Sequence, residues 1–282
     1  MTSIIGVVSG KGGVGTTTVT VNVGCALTSF GRDCVVIDGD LNKSNIGMQL
    51  GSPIVEKTFH DVLIGKHRIH DSAYMHSSGL KMIIGDSNAK YKLKIKSDNF
   101  KETIFNLVGA TEVVLIDCGN GFSEETRHAI QSVDKLIIVV EADLVAVMDT
   151  LKTVEFAKEN AIEIIGVIVN KHYDDGINLS DKNVEQILSV PILGVVPFDH
   201  DIRKSLHLNH PVCYSHPDSH ASISFKKIAA KLIGETYEHQ LNEEERQNLF
   251  TYVLRHIGFP REKKEVKENL NKDEKKEQKK LI

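Results

Sequence analysis

The sequence has only four cysteines in 282 residues, and no two of them form a C-x-x-C pair. A disulfide framework, and a zinc or iron–sulfur site built within one chain, both need such clustering. The spacing therefore argues against these classes and predicts buried thiols in a reducing compartment. The cysteines are Cys25, Cys34, Cys118 and Cys213.

Long apolar runs and a strong excess of one charge are also missing. No run approaches the ~18 apolar residues that a spanning helix needs, and the start of the sequence does not have the pattern of a signal peptide. The formal net charge is −4, so the whole molecule does not attract nucleic acid. We expect a cytoplasmic protein for which DNA is an unlikely partner.

Short continuous apolar runs alternate with longer helix-like stretches along the chain. This alternation is typical of an α/β fold with a doubly wound, mostly parallel sheet and helices on both faces. Predicted strands are 4–8, 34–37, 81–84, 113–116, 135–140, 164–169 and 192–196, and predicted helices are 17–29, 99–108, 145–160, 181–188 and 222–239.

The amino-acid composition of the sequence changes near residue 242. Residues 1–242 are predicted to form the main domain and residues 243–260 a C-terminal amphipathic helix, whereas residues 261–282 form a charged tail too polar to bury a core. The helix would place its apolar side chains on one side, where they are either a membrane-binding face or a surface packed on the main domain. These side chains are Leu249, Phe250, Val253, Leu254 and Ile257.

A glycine-rich loop follows the first predicted strand and opens the first long helix. Such a loop lets successive backbone N–H groups point at phosphate oxygens, and the helix N-terminus adds its dipole. Thr17 is placed to ligate Mg²⁺ through its hydroxyl. The predicted nucleotide-binding residues of the loop are Gly10, Lys11, Gly12, Gly13, Val14, Gly15, Thr16, Thr17 and Thr18.

One position of this loop departs from the P-loop pattern G-x-x-x-x-G-K-[ST]. Thr16 stands where that pattern has lysine, and this lysine normally offsets the charge of the β- and γ-phosphates. We therefore expect weaker nucleotide binding and slower phosphoryl transfer.

Acidic residues follow two of the predicted strands. Asp38 and Asp40 end the second strand, and Asp117 ends the strand 113–116 in the form of a Walker B motif, whose carboxylate holds a Mg²⁺-bound water. The ligand side of such a sheet is the edge formed by its carboxyl ends. The sequence thus predicts a metal site there.

These motifs resemble the MinD/ParA family of deviant-Walker P-loop ATPases, and the archaeal-type MinD proteins most of all. The similarity spans roughly residues 3–240 and includes the loop, the D-x-D of Asp38 and Asp40, a T-x-x-D-V-L segment at 58–63 and Asp117. It implies ATP and Mg²⁺ as cofactors, an ATP-dependent homodimer, a protein regulator or cargo, and peripheral membrane binding.

The resemblance also assigns roles to single residues. It implies that Lys11 reaches the phosphates of the partner subunit, that Asp40 positions the attacking water, and that Asp38 lies near the Mg²⁺. The family further implies adenine contacts from Asn170 and from the backbone at Pro197. A guanine-reading N-K-x-D motif would need an acid at position 173, which is tyrosine, so ATP is favoured over GTP.

Two departures leave other functions open. Besides Thr16, the family's D-x-P-A-G segment is replaced here by Asp117-Cys118-Gly119-Asn120-Gly121, which predicts a looser switch. One alternative is a pseudo-ATPase, a nucleotide-binding scaffold that has lost turnover. Another is a ParA-like DNA-partitioning ATPase, which the negative charge disfavours.

Overall fold

The computed structural model describes residues 2–86, 97–173 and 176–239, and they build a sheet of eight strands between two layers of helices. The strands are β1 Ser3–Ser9, β2 Cys34–Asp38, β3 Ala73–Met75, β4 Lys81–Ile83, β5 Val113–Asn120, β6 Lys135–Val140, β7 Glu163–His172 and β8 Ile192–Pro197. The described residues through Tyr237 belong to one structural unit.

Ten α-helices and one 3₁₀ turn lie within the described residues. They are α1 Thr16–Ser29, α2 Ile46–Gln49, α3 Phe59–Leu63, α4 Ser97–Phe105, α5 Glu124–Ile130, α6 Leu144–Glu159, α7 Asp181–Leu188, α8 His200–His207, α9 Val212–Ser215 and α10 His220–Leu232, with the 3₁₀ turn at Ile69–Ser72. In this part of the chain no helix is both long and apolar enough to cross a membrane.

The strand order is β3-β4-β2-β5-β1-β6-β7-β8, and all neighbours are parallel except β3 and β4. Strand β1 lies in the middle, and successive residues of it enter opposite cores. Ile4 packs in the core under α4–α7, whereas Ile5 packs in the core under α1 and α10. This two-faced burial explains why the strands are continuous apolar runs, and it confirms the predicted fold class.

The ends of several elements differ from the sequence-based prediction. The helix predicted at 222–239 ends at Leu232, because Gly234 takes a φ of 73° that stops it. Strand β5 runs to Asn120, so Asp117 lies within the strand and not after it. Strand β3 and the short helices α2, α3, α5, α8 and α9 were missed, because elements of a few residues carry little periodicity.

The predicted domain ends at 242 and 260 lie outside the described residues, and so do Leu249, Phe250, Val253, Leu254 and Ile257. They stay predictions.

Candidate functional site

The glycine loop connects β1 to α1 in the middle of the sheet, at the carboxyl edge of the strands. Gly13 and Gly15 have φ angles of 86° and 96°, which favour glycine strongly over other residues. A Cβ on Gly10 would lie 2.5 Å from the backbone of Thr150 on α6. The loop therefore folds back tightly on itself and against a neighbouring helix, as a cradle of backbone N–H groups requires.

The N-terminus of α1 opens directly onto this loop. Its N-cap residue is Gly15, which has no side chain to cap the helix, and its first turn consists of threonines and valine. The positive end of the helix dipole is thus not offset by an acidic residue of the same turn. This arrangement favours an anion at the loop.

Thr16 points into the base of the loop. Its hydroxyl donates to Ser9 Oγ at 2.9 Å, and Ser9 Oγ donates to the carbonyl oxygen of Lys11 at 3.0 Å. The side chain is buried, with 7% of the residue exposed. Thr16 therefore stabilises the loop conformation through hydrogen bonds and brings no positive charge to it.

Thr17 and two aspartates form a buried polar cluster at the end of the central strands. The Thr17 hydroxyl donates to Asp117 Oδ2 at 2.5 Å, and Asp38 is paired with Asp117 in the register of β2 and β5. Burial raises the pKa of Asp117 to about 6, and burial together with the charge of Asp117 raises the pKa of Asp38. Two buried carboxyl groups this close are stabilised by a bound cation.

Asp40 is held close to this cluster. Its Oδ1 accepts from the backbone N–H of Lys43 at 3.1 Å, and burial raises its pKa. A Cβ on Gly119 would lie 2.5 Å from Asp40 Oδ2, and Gly119 has a φ of 75°. Gly119 is therefore in close contact with Asp40, because glycine lets the end of β5 approach that side chain, whereas Gly121 has open space around it; the looser switch stays a prediction.

Lys11 lies at the exposed rim of the loop. Its Nζ is 3.6 Å from Asp143 Oδ2 at the start of α6, and both side chains are about two-fifths exposed, at 42% and 41%. The first turn of α6 also exposes large apolar side chains, namely Leu144, Val145 and Met148. A charged loop and an apolar helical turn thus share one accessible surface.

Two consecutive residues of β7 contact the loop from the other side. Asn170 Nδ2 donates to the carbonyl oxygen of Val14 at 2.7 Å, and Lys171 Nζ donates to that of Gly13 at 2.5 Å. The other amide atom of Asn170, Oδ1, is buried without a hydrogen-bond partner. Sequence reasoning proposed Asn170 but missed Lys171 and its ion-pair partner Glu141 at 2.8 Å. An acid directly after β6 and a lysine directly after Asn170 were the available signals.

Pro197 ends β8 beside this region. It is paired in register with His172 of β7, and next to it Phe198 stacks on Tyr173 with ring centroids 4.7 Å apart. The carboxyl ends of β7 and β8 thus form an aromatic-edged rim near Asn170.

Thr18, the last predicted residue of the glycine loop, is half-buried on α1.

Three histidines, His60, His67 and His70, lie close together in the sequence but are not arranged as a metal site. His60 is buried, its Nε2 lies 3.0 Å from the carbonyl oxygen of Leu41, and its Nδ1 accepts from the N–H of Asp86. Among the described residues, no group of three or more His, Cys, Asp or Glu side chains is arranged to hold a metal ion. A metal at Thr17 and the aspartates would therefore take further ligands from a bound phosphate or from water.

Comparison with known proteins agrees with this geometry. A family model described as ParA, NUBPL iron-transfer P-loop NTPase matches residues 1–233. An uncharacterized ATP-binding protein of Methanocaldococcus jannaschii is 36% identical over 90% of this chain and 96% of its own length. The septum site-determining protein MinD of Bacillus subtilis is 26% identical over 92% of this chain and 99% of its own length.

Among solved structures, the septum site-determining protein MinD of Pyrococcus horikoshii, complexed with Mg-ADP, is similar at a TM-score of 0.78. It is 32% identical, and the match covers 82% of this chain and 96% of that one. The chain described here belongs to the ParA family of P-loop NTPases, and its homologues include MinD proteins.

Proposed function

We propose that this protein is a MinD-like switch that binds ATP and Mg²⁺, dimerises on ATP, hydrolyses it slowly, and positions partner proteins at the membrane. The observation that carries the proposal is the Thr17–Asp117 hydrogen bond directly beneath the glycine loop. It joins a hydroxyl that can ligate a metal to the carboxylate that we propose for the metal's water.

The residues at the loop fit Mg²⁺ with a nucleotide. Asp38 Oδ1 is buried without a hydrogen-bond partner. Burying such an atom costs free energy unless a ligand or a water molecule pairs with it. Thr17, Asp38 and Asp117 would hold the ion and its waters. The ion would neutralise charge on the β- and γ-phosphates, while the loop N–H groups bind the phosphate oxygens.

Hydrolysis requires a positioned water molecule. Asp40 is the proposed residue for that role, since it is held at the rim of the same cluster by the Lys43 N–H and the close approach of Gly119. Without a lysine at position 16, the loop has less positive charge for the transition state. We therefore propose slow turnover.

Adenine is the proposed base. The unpartnered Oδ1 of Asn170 is an acceptor, which suits the amino group of adenine. Backbone at Pro197 is the second proposed contact, at the neighbouring strand end.

The iron-transfer role in the description of the family model receives no support from the cysteines. All four are buried, and burial raises the pKa of the Cys25 thiol to about 11. A thiol becomes a good metal ligand when it is exposed and readily deprotonated.

Dimerisation is supported by the shared surface of Lys11 and the first turn of α6. Apolar side chains exposed beside a charged loop are typical of a contact surface. The proposed membrane attachment rests on the apolar face that the sequence predicts for residues 243–260, and the proposed division-site role rests on the names of the MinD relatives.

The test is nucleotide binding and ATP turnover by the purified protein beside a Thr16→Lys variant. We expect the parent to bind Mg-ATP and to turn it over slowly, and the variant to turn it over about 10-fold faster or more, since it restores one phosphate contact. Binding without turnover in the parent, together with turnover in the variant, would favour the pseudo-ATPase scaffold. Absence of nucleotide binding in both would refute the proposal.

A further inference from the structure

Two hydrogen bonds connect the glycine loop to the end of β7. Asn170 donates to the Val14 carbonyl at 2.7 Å, and Lys171 donates to the Gly13 carbonyl at 2.5 Å. They engage two consecutive peptide groups of the loop.

Holding these carbonyls fixes the opposite side of each peptide. A trans peptide is planar, and its C=O and N–H point in opposite directions; the described residues contain no cis bond. A Gly13 carbonyl bound to Lys171 therefore turns the N–H of Val14 away from the end of β7, and a Val14 carbonyl bound to Asn170 does the same for the N–H of Gly15. These are the donors that a phosphate cradle needs.

The backbone of β7 is adapted to this double contact. Successive residues of a regular strand point to opposite faces, yet Asn170 and Lys171 both reach the loop. Lys171 has a φ of 52°, and the pairing of β7 with β8 is irregular between Val169 and His172. A non-glycine residue in this conformation costs free energy, which the contacts of the Lys171 side chain offset.

Lys171 is also oriented by a charge. Glu141 Oε1, just after β6, lies 2.8 Å from Lys171 Nζ, and the Lys171 and Glu141 side chains are 39% and 34% exposed. The ammonium group is thereby placed between an acid on one strand end and the loop carbonyl.

We infer that Lys171 is a positioning residue that preorganises the phosphate cradle, in a loop whose position 16 has no lysine. Glu141 aims it, and Asn170 completes the clamp. This inference rests on the proposed nucleotide function and deepens it: part of the affinity for phosphates comes from a cation behind the loop and not from one inside it.

The experiment compares Lys171→Met and Lys171→Arg with Lys204→Met, an exposed lysine paired with Asp201 at 2.7 Å on α8. Calorimetry measures the binding of Mg-ADP and of inorganic tripolyphosphate. For Lys171→Met we expect both affinities to fall about tenfold, as for loss of one charge-assisted hydrogen bond. Lys171→Arg should stay within about threefold of the parent, because it keeps the charge and donors, and Lys204→Met should match the parent.

A loss confined to Mg-ADP would overturn the inference, since it would make Lys171 a contact of the nucleoside. Equal affinities in all variants would also overturn it. In a Thr16→Lys background, Lys171→Met should reduce the affinity for both ligands by less than about threefold, because the lysine at position 16 then contacts the phosphates directly.

A readout without nucleotide separates this inference from the proposed function. Amide hydrogen exchange of residues 10–17 in the ligand-free protein should be about fivefold faster in Lys171→Met than in Lys204→Met. If the parent binds no nucleotide but this difference is seen, the proposed function fails and the clamp stands. Identical exchange overturns the clamp whatever the parent binds.

Discussion

Two regions of the described structure differ in how their buried polar groups are paired. At the carboxyl ends of the central strands, Asp38 Oδ1 and Asn170 Oδ1 are buried without hydrogen-bond partners. Beside the β3–β4 turn, His76 is nearly as buried, at 8% exposure, and both of its ring nitrogens are used.

The histidine region is satisfied by the protein itself. His76 Nδ1 lies 2.8 Å from Ser78 Oγ and accepts from the N–H of Ser78, while Nε2 donates to the carbonyl oxygen of Asn209 at 3.1 Å. The rings of His210 and Tyr214 pack edge-on against His76. This network ties the β3–β4 turn to the segment after α8.

The difference separates structural polar groups from ligand-binding ones. A satisfied buried network stabilises the fold by itself, whereas unsatisfied groups cost free energy that a ligand can recover. In the described residues, four buried side-chain atoms have no hydrogen-bond partner. Three of them lie at the strand ends of the candidate site, namely Asp38 Oδ1, Asn170 Oδ1 and His172 Nδ1, and the fourth is Arg32 Nε. Most of the unpaired buried polar atoms therefore lie at the candidate site.

The largest expected effect comes from Asp117→Asn. The raised pKa, about 6 against an ordinary 3.8, means that the ionised carboxylate destabilises the fold; this cost is fully present above pH 6 and declines to zero as the pH falls from 6 to about 3.8. At pH 7.5 the variant should therefore be more stable without ligand, by roughly 1–3 kcal/mol. It should also bind Mg-ADP about 100-fold more weakly, since a ligand of the metal's water is lost.

Thermal melting with and without Mg-ADP measures both effects of Asp117→Asn. The exposed Asp218→Asn is the matched control and should behave as the parent does. A less stable ligand-free variant would show that the hydrogen bonds from Thr17 and the Gly119 N–H outweigh the cost of burying the Asp117 carboxylate, and would remove the contrast between the two regions.

An intermediate effect is expected from Lys11→Ala, at the exposed rim of the site. Its ion pair with Asp143 is exposed, so its loss should change stability by less than ~0.5 kcal/mol. ATP-dependent dimerisation, measured by light scattering after size exclusion, should be lost because Lys11 is proposed to contact the partner's phosphates. Sedimentation with anionic vesicles should decrease in parallel, since two weak anchors bind more tightly together than one.

Lys182→Ala on the exposed face of α7 is the control for Lys11. If Lys11→Ala dimerises on ATP as the parent does, Lys11 acts only in its ion pair with Asp143, and the proposed role across the dimer is wrong.

The smallest effect is expected from His76→Gln. Burial lowers the pKa of His76 from its ordinary value of 6.5, so the unfolded chain takes up the proton first and stability is lost as the pH falls through about 6.5. At pH 7.5 the variant should be about 1 kcal/mol less stable than the parent, because it loses the hydrogen bonds of the imidazole ring. The difference in the free energy of unfolding between the two proteins should become smaller toward pH 5.5. Urea unfolding at each pH measures it.

The exposed His70→Gln should keep the pH dependence of the parent. His60 also has a pKa lowered by burial, so part of the slope will remain in His76→Gln. A slope identical to that of the parent would mean that His76 titrates equally in the folded and unfolded states.

Much of the fold was predictable because its signals are local. The continuous apolar runs identified seven of the eight strands, and β6 and α7 have the predicted bounds. Strand β3 was missed because three residues, with two of them exposed, show no pattern that distinguishes a strand. The closeness of Asp40 to Gly119 was missed because glycine in a sequence does not reveal whether it loosens a segment or admits a neighbour.

The sequence by itself determined the glycine loop, the helix that opens from it, and the acids at the strand ends, since each is a short motif in a recognisable local context. Only the tertiary structure decided that Asp38 lies beside Asp117, that Lys11 lies beside Asp143, and that Asn170 and Lys171 hold the loop from 156 and 158 residues away. The physical reason is strand order and register: they bring distant strand ends to one edge, and no local pattern encodes which ends become neighbours.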